Sequence, residues 1–171
     1  MGKRSIKEDK NIYFLSREEA GLTREQASEA IGFLSESQIE KIENCKTSAH
    51  PEDVLAMAVA YKKPNLCNYY CSHECQIGHE YVPEVQLKNL SQIILEMLAS
   101  LNALDNEKNR MIEITADGKI DDNEVHDFAV IEKKLEEISI TVETLQLWAQ
   151  KTVDDGKINK DLLAEAIKSI T

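Results

Sequence analysis

Two apolar runs with heptad spacing constrain this chain more than any other feature. Leu87, Leu90, Ile94, Met97, Leu101, Leu104 and Met111 follow one another three and four residues apart, with Lys108 filling the single gap. Phe128, Ile131, Leu135, Ile138, Val142, Leu145 and Ala149 repeat the pattern. A strand alternates with a period of two, so a stripe of this kind is compatible only with helices. Two such helices joined by a short polar loop pair as an antiparallel hairpin. The later segment "KDLLAEAIKSI" offers Leu162, Leu163, Ala166, Ile167 and Ile170 as the third wall of a small bundle. That helix has about 11 residues, roughly 16 Å at helical rise, which is shorter than the seam it would cover. The uncovered part predicts a homodimer formed through residues 84–150.

The loop between the long runs, "EITADGKIDDNE", can be laid on a calcium-binding loop. Gly118, Ile120 and Glu124 fit, but Glu113 stands where aspartate is usual and Thr115 is a poor ligand. "TVDDGKINKDLL" repeats the "DGKI" turn without a final ligand. The reading preferred is a turn followed by a helix start, with Asp121 as cap and Glu124 completing it.

Shorter helices precede the heptads. "IYFLSREEAG" reads as a helix with Ile12, Phe14 and Leu15 apolar, ended by Gly21. Thr23 caps a second helix that Gly32 stops. Ser35 caps a third, with Gln38 completing a capping box and Ile39 and Ile42 as the buried stripe. Pro51 suits the first turn of a fourth, on which Val54, Leu55, Ala58 and Tyr61 recur at helical spacing. With only six glycines and three prolines, the whole is expected to be all-α. It divides into a helix-turn-helix domain of four to five helices over 1–80 and a helical hairpin or three-helix bundle over 84–171.

Charge separates the two parts. Net charge is -11 overall, yet residues 1–65 hold 10 Lys+Arg against 11 Asp+Glu, while residues 66–171 hold 10 against 20. An acid excess argues against general nucleic-acid binding, but a near-neutral first part leaves DNA open to it alone. No apolar run is long enough to span a membrane. The opening "MGKRSIKEDKNIYF" lacks the apolar segment of a secretory signal. A cytoplasmic protein is expected, its four cysteines reduced or metal-bound rather than paired.

Residues 10–66 resemble the XRE-like (Cro/C1-type) helix-turn-helix family. The resemblance rests on "GLTREQASEAIG", "SQIEKIEN" and "PEDVLAMAVAY". It implies that the third helix enters the major groove of double-stranded DNA and that the start of the second meets phosphate. Carried over by position, Arg24 is the phosphate contact, and Glu36, Ser37, Gln38 and Lys41 form the groove-facing row. Lys46 follows the helix within reach of the backbone. Gln38 suits adenine, in competition with its capping role. The family usually has glycine where Cys45 stands, at a helix end that favours positive φ. The turn before the third helix is one residue longer than usual, and Glu36 opposes phosphate. The resemblance implies a dimeric, sequence-specific transcriptional regulator. The alternative is a protein-interaction module, with a toxin or phage factor as partner, that keeps the fold without reading DNA.

"NLCNYYCSHECQIGHEYVP" sets Cys67, Cys71, Cys75 and His79 four residues apart. On one continuous helix neighbours lie about 6 Å apart and the outer pair about 18 Å, too far for one tetrahedral ion. A zinc or iron site therefore requires a break at Ser72 or Gly78, or His73 or Cys45 as an additional ligand. Otherwise these soft side chains pack the end of the first domain. His50 and His126 have no ligand-like company and read as surface residues. No phosphate loop, nucleophile elbow or H-E-x-x-H motif is present, so an enzyme is not expected.

Overall fold

The computed structural model describes residues 10–170. Most of the basic opening, read above as unlike a secretory signal, lies outside them. Among the described residues the chain is helical throughout: α1 (Ile12–Glu19), α2 (Arg24–Ile31), α3 (Glu36–Glu43), α4 (Pro51–Tyr61), α5 (Asn65–Tyr69), a π-helical turn (Tyr70–Glu74), α6 (Gln76–Tyr81), α7 (Leu90–Ile114), α8 (Val125–Asp154) and α9 (Lys160–Ile170). Two compact units result, one of Met1–Pro83 with Lys151–Thr171 and one of Glu84–Gln150. Residues 151–171 thus group with the first unit rather than with the hairpin.

In the first unit, α1 and α2 each pack on α3 and α4. Local chemistry sets the ends of these helices. Thr23 Oγ1 accepts from Gln26 N at 3.2 Å, and Gln26 Oε1 accepts from Thr23 N at 2.9 Å. Ser35 and Gln38 repeat the reciprocal pair at 3.3 and 2.9 Å. Each box satisfies two backbone donors that a helix start leaves unpaired. Gly32 ends α2 at φ +85°, which a side chain rarely adopts. Pro51 occupies the first turn of α4, and Asp53 accepts from His50 N at 3.0 Å.

The core of this unit is Tyr13, Ala27, Leu34, Ile39, Ile42, Ala49, Val54, Met57, Ala58, Tyr61 and Leu66. Two apolar assignments need correction. Leu15 and Leu55 are exposed at 43% and 61%, and Tyr13 and Met57 take the buried positions. Both faces were open to the spacing, and packing against the neighbouring helices, α3 and α4 for α1 and α1, α2 and α5 for α4, settled which one turned inward.

In the second unit, α7 and α8 run antiparallel. Arg110 Nε donates to Asp127 at 2.6 Å, and Lys134 Nζ donates to Glu107 at 2.6 Å and to the Ala103 carbonyl at 3.2 Å. Each heptad seam is split lengthwise. Met97, Leu104 and Met111 on α7, with Ile131, Ile138 and Leu145 on α8, are buried or half-buried. Leu87, Leu90, Ile94 and Leu101, with Phe128, Leu135 and Val142, remain exposed. Apolar side chains on both long helices are thus left open to solvent. Every residue of α9 is exposed.

The "DGKI" loop is the capped turn. Asp121 Oδ1 accepts from Asn123 N and Glu124 N at 2.8 and 3.1 Å, and Glu124 Oε2 accepts from Asp121 N at 3.1 Å. Asn159 caps α9 in the same manner.

Candidate nucleic-acid interface

The α3 sequence "ESQIEKIE" places Ile39, Ile42 and Glu43 inward and Glu36, Ser37, Gln38, Glu40 and Lys41 outward. The four groove candidates are therefore all exposed, as is Lys46. Gln38 is only partly available: its Oε1 accepts from both Ser35 N and Ser35 Oγ, at 2.9 and 2.8 Å. Its side-chain amide nitrogen takes no part in these bonds.

The unexpected element is Glu43. Its side chain is 0% exposed and binds two arginines. Arg17 Nε on α1 donates to Oε1 at 2.5 Å, and Arg17 Nη2 donates to Oε2 at 3.1 Å. Arg24 Nε on α2 donates to Oε2 at 2.8 Å. Arg17 Nη1 also donates to the Leu22 carbonyl at 2.7 Å. One carboxylate thus ties the first three helices together. Burial works against the Arg17 charge, but the hydrogen bond and charge of Glu43 outweigh it and hold Arg17 above its usual range. Burial and then Glu43 push the Tyr61 hydroxyl up to about 12, against a smaller opposing effect of Arg17.

Two consequences follow for the charge of the surface. Of the three α3 glutamates, Glu43 is withdrawn and neutralised, leaving Glu36 and Glu40 outside. Arg24, placed by position at phosphate, is committed through Nε to holding Glu43, and its side chain is 33% exposed. Sequence reasoning missed Arg17 and Glu43 because charged residues are normally assigned to solvent. Their spacing held the signal: Glu43 lies four residues after Ile39, and Arg17 four after Tyr13, each on a core-facing row.

Cys45 occupies the position where the resemblance implies glycine. Its φ is +55°, and the last turn of α3 closes with Lys46 N donating to Lys41 O at 2.8 Å and Cys45 N to Ile42 O at 3.0 Å. This is the left-handed helix end that usually takes glycine.

Cys67, Cys71, Cys75 and His79 are not brought together. Among the described residues, no three Cys, His, Asp or Glu side chains form a group that could hold a metal ion. The chain leaves helical geometry at Cys75 (φ -83°, ψ 120°), not at Ser72 or Gly78. Gly78 instead permits close approach: a Cβ there would stand 2.2 Å from the Cys71 carbonyl oxygen. Cys67 packs against the core, where burial and then Cys71 push its thiol up. Cys75 Sγ accepts from Gly78 N at 3.4 Å, and His79 is exposed. His50 and His126 are exposed as well.

Residues 15–64 match a family model described as a helix-turn-helix domain. Neither the curated proteins nor the solved structures return a match to the chain. The fold and this match define the class of the N-terminal unit: it carries a helix-turn-helix domain, with α2 and α3 as its two central helices. Among the described residues no helix is long and apolar enough to cross a membrane.

Proposed function

We propose that this chain is a sequence-specific, DNA-binding transcriptional regulator of the XRE-like type and that it acts as a dimer. The observation that carries this reading is the α3 surface. It presents Ser37, Gln38 and Lys41 outward on a rigid, doubly capped helix, while Glu43 is buried between two arginines. An uncompensated third carboxylate would have set this helix against phosphate; as it stands only Glu36 and Glu40 do so. Lys41 and Lys46, both exposed, are the cations available for the backbone. One module reading three or four bases discriminates little, and two linked half-sites supply the rest. The exposed apolar side chains of residues 84–150 are the surface proposed to link them.

A second reading, a protein-docking module with a toxin or phage factor as partner, is favoured by one observation. Glu25, Glu29, Glu36 and Glu40 are all exposed on α2 and α3, and Phe33 in the turn between them is 58% exposed. Fluorescence anisotropy with labelled duplexes over a salt series separates the two. On the DNA reading, Lys46→Ala weakens binding to all duplexes alike and flattens the salt slope by about one unit. Glu36→Gln strengthens non-specific binding. A chain whose affinity for duplex ignores both substitutions and salt is not binding through this face.

A further inference from the structure

The N-terminal unit holds a cleft of about 470 Å³, within the size range of small-ligand sites. Its walls include Tyr13 on α1, Ile42 and Cys45 at the end of α3, His50 before α4, and Tyr70 and Glu74 on the π-helical turn. The cleft is unused by any contact assigned above to DNA or to dimer formation.

Three features give it a chemical preference. First, its lining contains a carboxylate, Glu74, and among the described residues no lysine or arginine. Second, Tyr13 is 3% exposed, and its buried hydroxyl lies beside the Glu74 carboxylate without completing a full hydrogen bond to it. A buried hydroxyl normally finds one, and this oxygen can both accept and donate. Burial, then the nearby Glu74 charge and the pull of Glu74 on the hydroxyl proton, push Tyr13 well above the usual phenol range, so it stays a neutral hydroxyl. Third, Tyr70 supplies a half-buried aromatic wall, and the charges of Glu74 and Glu52 both act on it. A negative potential beside aromatic rings attracts cations and repels anions.

We propose that this cleft binds a small organic cation, a primary ammonium carried on an aromatic or apolar body. The ammonium pairs with Glu74, whose carboxylate the Tyr13 hydroxyl helps to position, and the body lies against Tyr70 and Ile42. The site does not depend on whether α3 reads DNA.

The test uses the full chain, labelled with nitrogen-15 and titrated with benzylammonium at constant ionic strength. Benzoate and benzyl alcohol serve as controls of the same shape. Saturable shifts are expected at the amides of 45–50 and 70–74, with a dissociation constant on the order of 1 mM for a ligand of this size. Benzoate should leave those amides unmoved, and benzyl alcohol should bind more weakly than the amine. Glu74→Gln should weaken benzylammonium about fivefold. Glu74 is exposed, so the variant should retain the dispersed spectrum of the parent, and Tyr13→Phe gives an independent second reading of the same site. Equal binding of benzoate, unchanged affinity in both variants, or no saturable shift up to about 20 mM would overturn the assignment.

Discussion

Replacing Glu43 by glutamine tests the ion network that joins the first three helices. The side chains are nearly the same size, so packing is kept and only the charge is lost. Glu43 is fully buried, and Arg17 is only 8% exposed in its side chain, so Arg17 cannot turn to water. Removing one member of a buried pair costs roughly 3–5 kcal/mol, because the other charge is left uncompensated. Domain stabilities are about 5–15 kcal/mol, so the N-terminal unit should lose a fifth or more of its stability. Arg24→Ala should cost far less, about 1 kcal/mol, since Arg24 is a third exposed and Glu43 keeps both bonds to Arg17. In the Glu43→Gln background, Arg24→Ala should be neutral or stabilising, because it then removes one of two like charges. Urea unfolding followed by circular dichroism, with hydrogen exchange of the α3 amides, measures all four proteins. Trp148, the single tryptophan, lies in the second unit and reports on the hairpin separately. The reasoning fails if Glu43→Gln costs under about 1 kcal/mol, or if Arg24→Ala costs the same in both backgrounds.

Two further outcomes follow from backbone and surface. Cys45→Gly should stabilise the N-terminal unit by about 1 kcal/mol in the same unfolding assay, because glycine occupies φ +55° without the Cβ penalty. Ile94→Asp with Leu101→Asp should leave helicity intact, since both side chains are exposed, and should shift sedimentation from dimer to monomer with loss of tight duplex binding. A parent chain that sediments as a monomer at tens of micromolar contradicts the dimer directly.

What could be read from the sequence was what local chemistry decides. Thr23, Ser35 and Pro51 mark helix starts because unpaired backbone donors need partners there, and Gly21 and Gly32 mark ends because positive φ favours glycine. The all-α class followed from the scarcity of proline and glycine, and the heptads placed the two long helices. Features that depend on three-dimensional packing were not legible. Whether Leu15 or Tyr13 faces inward depends on the neighbouring α3, and Arg17 and Glu43 become core residues only because they meet. Heptad spacing identified the stripe on each long helix but not which half faces the partner helix. Among the site residues, Glu36, Ser37, Gln38, Lys41 and Lys46 are exposed, while Arg24 also binds the buried Glu43. The break at Cys75 after a π-helical turn has no simple sequence signal.

The most direct test of the account is selection of bound duplexes from a random-sequence pool by the full chain, followed by sequencing. Enrichment of a two-fold symmetric site with half-sites about 10 base pairs apart, or a multiple of that, is expected. With Gln38→Ala, one base pair in each half-site should lose its preference while the others keep theirs. A pool that stays random after repeated rounds, while the folded protein is retained by a protein partner, would contradict α3 as a DNA-reading helix.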